Sequence, residues 1–386
     1  MTNGEWKTVA LEKVATIERS AIQPEAISQG TSYLGLEHIE SGGEILGAKP
    51  VDEGELASSK FKFTERHLLY GKLRPYLAKI ALPDFTGICS TDILPILPGP
   101  DLGRRFLCYF LRQPSMVDYA NSRASGANLP RLSPTALAEF EIPLPPLAEQ
   151  RRIAEALDRA EALRAQRRAA LAQLDSLTQS LFLDLFGDHT SILTKWPTKK
   201  LGELLDFLTS GSRGWAEFYA ESGDLFLRIQ NVRYDELLLE DIAFVKTPDT
   251  AEAKRTRVLP GDVVLSITAD LGRTAVVPEG IGPAFISQHL SILRTKAVVP
   301  RFLSAYFASP VGRRQVSGRN RQAVKAGLNF DDIRSFVIPL PPIELQREFA
   351  RRVTAVERLK TAQRASLTEL DALFATLQHR AFRGEL

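Results

Sequence analysis

Apolar positions fall into two long stretches of helical spacing, and the two stretches are copies of one another. Residues 142–188 and 338–384 align without a gap at an offset of 196, with roughly 18 of 47 positions identical, which marks an internal duplication. Each copy opens on the same five residues, Ile142-Pro-Leu-Pro-Pro146 and Ile338-Pro-Leu-Pro-Pro342. Proline in this density cannot be helical. It delivers the chain into about forty residues without proline or glycine. The spacing predicts one long helix over Leu147–Phe186 and another over Ile343–Phe382, each about 60 Å long at ~1.5 Å per residue.

Each helix carries a seam at heptad spacing. Ile153, Leu157, Leu171, Leu174 and Leu181 form it in the first copy; Phe349, Val353, Leu367, Leu370 and Leu377 form it in the second. Both seams break at matched positions, Arg164 and Arg167 against Lys360 and Gln363. Matching seams with a matching charged break predict that the helices pair with each other, antiparallel, as a coiled coil.

The segments preceding the helices repeat more faintly. Trp6 with Leu11-Glu-Lys-Val answers Trp196 with Leu201-Gly-Glu-Leu. Alternation predicts a strand over Tyr33–Ile39 and another over Phe226–Val232, and a further strand over Ile88–Leu94 and Phe285–Leu293. Leu69–Leu73 aligns with Leu259–Val263 as a turn into a strand, and Phe106–Leu111 with Phe302–Phe307 as a short apolar helix. The expected fold is α+β: two pseudo-repeated mixed α/β globular heads joined by two long antiparallel helices forming a coiled coil. The expected order is a head at 1–141, a helical region at 142–195, a second head at 196–337 and a second helical region at 338–386. Two heads at opposite ends of such a helical pair would make a ruler.

Composition changes this picture little. The chain is 386 residues long with 25% charged residues and a net charge of only +3, which permits nucleic-acid binding without arguing for it. No apolar run reaches eighteen residues, so no membrane role is expected. Cys89 and Cys108 sit in apolar surroundings without a CxxC spacing, which fits buried thiols in a reducing cytoplasm.

Two globular units and two Pro-led helices in tandem, with Gln150-Arg151 and Gln346-Arg347 early in each helix and Ala381-Phe-Arg-Gly-Glu-Leu386 closing the chain, resemble the DNA specificity subunit of type I restriction-modification enzymes. The resemblance implies that each head is a target recognition domain reading one half of a split double-stranded DNA site. It also implies that the helices set the gap and dock two methyltransferase subunits, and that restriction/translocase subunits join that core.

DNA is read by Arg, Lys, Asn and Gln at base edges, with phosphate contacts holding the register. In the second head the densest candidates lie in an expected loop at 311–325: Arg313, Arg314, Arg319, Asn320, Arg321, Gln322 and Lys325. The matching loop of the first head offers Arg123, Asn128 and Arg131. Arg213 stands in a Gly-rich loop beside Trp215. Arg228 and Gln230 are expected to share one face of a strand. Lys60, Lys62, Lys72 and Arg74 form a cationic cluster around a turn, or edge-strand lysines that discourage aggregation. Ser287, Gln288 and His289 are expected on a strand.

No nucleotide-binding glycine motif occurs, the five histidines show no zinc-ligand spacing, and no amide or carboxylate precedes the Pro-Pro pairs as a methyltransferase site would need. The expectation is a chain that performs no chemistry and binds no cofactor. The alternative is a non-catalytic coiled-coil scaffold whose heads bind proteins, which apolar patches on the heads would signal.

Overall fold

The computed structural model describes residues 6–52, 54–188, 191–319 and 327–386. The chain forms two compact units. One comprises Met1–Arg168 with Ala365–Leu386; the other is Ala169–Arg364. The first long helix runs Leu147–Phe186 and the second Ile343–Ala381, so each unit contains one head, the start of its own helix or the chain leading from it, and part of the other helix.

In the first unit, Thr8–Ala10 pairs antiparallel with Glu141–Pro143, closing the head where the chain enters and leaves it. An antiparallel sheet follows in the order Ala15–Ile17, Ile93–Pro98, Leu68–Gly71, Ile80–Ala81. A five-stranded sheet has the order Ala21–Ile22, Lys60–Phe63, Gly87–Cys89, Ser32–Leu34, Lys49–Pro50, with Ser32–Leu34 parallel to Gly87–Cys89. Helices Arg104–Leu111 and Pro114–Ser122 cover the first sheet's core.

The second unit repeats this plan. Thr198–Lys200 pairs with Val337–Pro339. Leu205–Ser210, Leu290–Thr295, Val263–Ser266 and Thr274–Val276 form the matching antiparallel sheet. Asp224–Leu227 is again parallel to Ala284–Ile286.

The long helices begin inside the head cores. Ile153 and Leu157 are fully buried with Leu11, Phe106 and Phe140, and Ala381 joins them from the second helix. Phe382 lies 5.1 Å from Phe106 and 5.4 Å from Phe110, ring centre to ring centre. In the second unit Phe349 and Val353 are fully buried, and Phe186 of the first helix lies 5.4 Å from Phe349. The helices therefore pair antiparallel within each unit, the end of one against the start of the other. Leu171, Leu174, Leu181, Leu367, Leu370 and Leu377 are half-buried.

A buried glutamine fastens each helix to its head. Gln150 Oε1 accepts from the Gly103 N–H at 2.7 Å while its Nε2 donates to the Asp101 and Pro145 carbonyls at 2.9 and 2.8 Å. Gln346 accepts from the Val299 N–H at 2.9 Å and donates to the Pro341 carbonyl at 2.8 Å. Gly103 and Val299 each precede a helix that has no side-chain cap of its own, so the glutamine satisfies an orphan amide from a distance.

Several local expectations are corrected. Tyr33–Ile39 and Phe226–Val232 are not continuous strands: each strand ends at Leu34 or Leu227, and a 3-10 turn follows at Leu36–His38 or Ile229–Asn231. A side chain three residues on accepts from the backbone in both, His38 Nδ1 from Gly35 N–H at 3.0 Å and Asn231 Oδ1 from Arg228 N–H at 2.9 Å. Ile88–Leu94 and Phe285–Leu293 are each two strands joined by a turn, and Ser287, Gln288 and His289 lie in that turn. The structural match of Leu68–Gly71 is Val263–Ser266, which shifts the pairing of Leu69–Leu73 with Leu259–Val263 by several residues. Residues 310–318 form a helix instead of a loop, started by Ser309, whose Oγ accepts from the Gly312 N–H at 3.3 Å.

Both cysteines are free and buried, and burial pushes the Cys89 thiol up to about 12. Among the described residues no helix is long and apolar enough to cross a membrane.

Candidate nucleic-acid interface

In the first head the strand Leu68–Gly71 runs into a turn that the backbone ties to residues 125–132. Leu132 N–H donates to the Lys72 carbonyl at 2.9 Å and Arg74 N–H to the Pro130 carbonyl at 2.7 Å. Leu73 bridges Arg131, and Arg131 bridges Ser125. These contacts bring Lys72, Arg74, Asn128 and Arg131 to one surface, although they are far apart in sequence. Asp92 holds two of them, Lys72 at 3.7 Å and Arg131 at 3.4 Å. Arg74 adopts a left-handed conformation, φ 52°, uncommon for a residue with a side chain. Arg123 caps the helix Pro114–Ser122 and lies 4.9 Å over the Tyr119 ring.

The two lysines of the neighbouring strand stand apart from this surface. Lys62 is exposed, at a cleft of about 510 Å³ with Glu18, Thr64 and His67. Lys60 is only 6% exposed, and its ammonium donates to the Ser58 carbonyl and hydroxyl, both at 2.7 Å. Burial lowers its pKa. Neither is an edge-strand residue, since Lys60–Phe63 has a neighbour on both sides; the sequence clustered them with Lys72 and Arg74 only because it cannot show that two different sheets are involved.

The second head builds the same turn. Leu328 N–H donates to the Ile267 carbonyl at 2.9 Å, Thr268 bridges Gly327, and Ala269 is left-handed with φ 62°, where the first head has Arg74. Arg319 caps its helix as Arg123 does and lies 5.1 Å over Phe336. Asn320, Arg321, Gln322 and Lys325 lie outside the described residues.

Arg313 and Arg314 are exposed on the helix Pro310–Gly318, whose Val311 and Val316 are buried. They line a cleft of about 470 Å³ with Tyr234, Ala269 and Leu271. Sequence reasoning missed Tyr234. Nothing local distinguishes it; only the folded chain brings it beside the helix. The next residue, Asp235, is a buried carboxylate in a left-handed conformation, φ 66°. Burial pushes its pKa up to about 6, partly opposed by Arg301, whose guanidinium is 3.6 Å away.

Arg213 is exposed in the turn after Leu205–Ser210, while Trp215 beside it is buried against Phe226 and Phe285. Arg228 and Gln230 do not share a strand face. Both turn to Asp241 instead, Arg228 donating to its carbonyl at 3.1 Å and Gln230 to its carboxylate at 3.0 Å. His289 bonds Thr268 at 2.5 Å, which ties the second strand-linking turn to the Thr268–Gly327 bridge.

The geometry therefore gives the first head a surface of cations with Asn128, and the second head exposed Arg313 and Arg314, beside a shared backbone frame. Among the described residues no group of acids, histidines and cysteines is placed to hold a metal ion. Comparison with known proteins agrees with this division. The chain is 31% identical over 186 residues to the EcoDI specificity subunit of Escherichia coli, an alignment covering 47% of this chain and 41% of that protein. It is 27% identical over 317 residues to the EcoBI specificity subunit of the same species, covering 73% of this chain and 66% of the relative. It thus spans less than two thirds of the length of either relative. A type I restriction-modification S subunit from M. genitalium shares the fold at TM-score 0.61 and 16% identity, over 98% of this chain and 96% of that one. The sequence model described as the type I restriction modification DNA specificity domain matches twice, over residues 3–173 and 194–370, and the chain accordingly belongs to the type I restriction-modification DNA specificity family.

Proposed function

We propose that this chain is the non-catalytic subunit that reads a split DNA target for a type I restriction-modification enzyme. Its first head reads one half-site through Lys72, Arg74, Arg123, Asn128 and Arg131. Its second reads the other through Arg313, Arg319 and the segment containing Asn320, Arg321, Gln322 and Lys325, with Arg314 and Arg213 as phosphate contacts there and Lys62 as an outlying one of the first head. The long helices set the gap between the halves and dock two methyltransferase subunits, and ATP-dependent restriction/translocase subunits act on the assembled core. The protein works in the cytoplasm, where the host DNA is.

One observation carries this reading. The two heads share a backbone frame down to the left-handed residue at Arg74 and Ala269, yet differ in the side chains it displays. The helix fastenings, by contrast, keep their residue, Gln150 and Gln346. A conserved frame with diverged display suits two different half-sites served by one kind of dock. Phosphate contacts hold such a reader in register and base-edge contacts specify.

The test is co-expression with the methylation subunit of the same operon, followed by mapping of modified adenines in host DNA. A single split motif with a fixed gap and a modified adenine in each half supports the reading. A well-formed complex that modifies no motif, and a DNA affinity insensitive to salt, would turn it toward the protein-binding scaffold.

A further inference from the structure

The cleft beside the helix Pro310–Gly318 has features that a merely solvated basic surface lacks. Tyr234 is 43% exposed, although it is a large aromatic residue. The Arg313 guanidinium lies 5.1 Å from its ring centre, within cation–π range. Among the described residues neither Arg313 nor Arg314 has an acidic partner, whereas three cations close by do: Arg273 pairs with Asp270, Arg301 with Asp235 and, on the long helix, Arg364 with Glu236. The helix itself is firmly seated, since Val311 and Val316 are buried and Gln315 bonds the Tyr306 hydroxyl and the Val337 carbonyl and accepts from the Val337 N–H. Tyr234 is also held from behind: the next residue's N–H donates to the Thr274 carbonyl at 2.8 Å.

The first head provides an internal comparison. Its helix Pro114–Ser122 is the counterpart of Pro310–Gly318, and Val117 and Asp118 stand where Arg313 and Arg314 stand. Its 3-10 turn Leu36–His38 is the counterpart of Ile229–Asn231, which places Ser41 where the second head has Tyr234. That serine is turned to the backbone, donating to the Leu77 carbonyl at 2.7 Å. All three positions have thus changed together, from an aromatic platform with two cations to a hydroxyl, an apolar side chain and an acid.

We propose that Arg313 is a base-reading residue of the second head, that Tyr234 is its positioning residue, and that Arg314 contacts the adjoining phosphate. An arginine lying on an aromatic face is restricted to few rotamers and keeps the outer edge of its planar fork available. That is the requirement for bidentate recognition of guanine O6 and N7 in the major groove. Lysine at the same place has the charge without the fork. The proposal rests on the DNA-reading function above and specifies which side chains of one head determine sequence.

The experiment uses the full chain co-expressed with its methylation subunit. Modified motifs are mapped for wild type and for Tyr234→Leu, Tyr234→Phe, Arg313→Lys and Arg314→Ala, and each complex is checked by thermal melting. Arg313→Lys and Tyr234→Leu are expected to lower discrimination at one guanine of one half-site by roughly 5- to 150-fold, leaving the other half-site and the gap unchanged. Tyr234→Phe, which keeps the ring, retains wild-type discrimination. Arg314→Ala weakens binding evenly across sequences and flattens its salt dependence by about one unit of slope. If the wild type yields a split motif but Arg313→Lys leaves both halves unchanged, or affects both equally, in a complex that melts normally, the assignment is wrong while the DNA-reading function stands. If Tyr234→Phe fails as Tyr234→Leu does, the ring is not the positioning element. Absence of any motif from the wild type overturns the underlying function instead.

Discussion

The Lys360 ammonium of the second long helix lies 3.0 Å from the Asp175 carboxylate of the first, and Lys360 is only 7% exposed. One repeat earlier the same two positions meet with the helices exchanged: Arg164 of the first helix donates to Asp371 of the second at 2.6 Å, its guanidinium 4.4 Å over Phe374. Position 164 plus the repeat offset is 360, and 175 plus the offset is 371, so the break in the heptad seam is a cross-helix ion pair built twice. A cation in place of a core residue costs stability relative to an apolar one but allows only one register, because a one-turn slip leaves it without its acid.

Lys360→Glu should destabilise the second unit, and adding Asp175→Lys should recover part of the loss. A double-mutant cycle by urea denaturation should give a coupling of roughly 1 kcal/mol, within the 0.5–3 kcal/mol range for residues in contact. No coupling would show that Lys360 is held by Glu357, 3.2 Å away, and not by the partner helix.

Gln150→Ala and Gln346→Ala should each cost about 1–3 kcal/mol, since each leaves a half-buried amide and a buried proline carbonyl without a partner. Gln→Glu at either site should not rescue, because the lost donor is the half that reaches Pro145 or Pro341. Chemical denaturation of the single variants measures both.

Asp235 should make the second unit more stable in mild acid. Its folded pKa, about 6, lies above the unfolded value near 3.9, so the folded state binds the proton more tightly. Stability therefore falls as pH rises from about 4 to about 6, and the penalty is fully present above that. Asp235→Asn should remove this dependence and stabilise the protein at pH 7 by up to roughly 3 kcal/mol, less whatever the nearby Arg301 loses. Asparagine suits the left-handed backbone there. Melting temperatures of the two proteins between pH 4 and 8 provide the check; parallel profiles would contradict the assignment.

Lys60 and Lys62, two residues apart, should behave differently. Lys60→Ala should lower thermal stability, as it removes a buried ammonium that bonds Ser58, whereas Lys62→Ala should leave stability within about 0.5 kcal/mol. If Lys62 meets a phosphate, its loss should reduce the salt slope of DNA binding by about one. Equal effects on stability would contradict the burial difference.

The sequence was most informative where periodicity is long. Forty residues of heptad spacing without proline or glycine can hardly be anything but a helix, and the duplicated break at Arg164 and Lys360 was legible before its partners were. Short elements were harder. Leu36 and Ile39, like Ile229 and Val232, continue an apolar pattern through a 3-10 turn, and a period of three is easily taken for the end of an alternation of two. The helix Pro310–Gly318 was obscured by its two glycines and two arginines, although Ser309-Pro310 is a helix-start signal and Val311 and Val316 mark its buried side.

The duplication, the long helices and their mutual pairing are all legible along the chain, because they follow from side-chain spacing within continuous segments. Which cations share a surface emerges only on folding. Lys60 precedes Lys72 by twelve residues but lies buried in another sheet, while Arg131, fifty-nine residues beyond Lys72, is joined to its neighbour by a backbone bridge. Strand pairing joins segments by backbone hydrogen bonds that every residue but proline can both donate and accept, so the sequence carries little record of which turn will lie beside which.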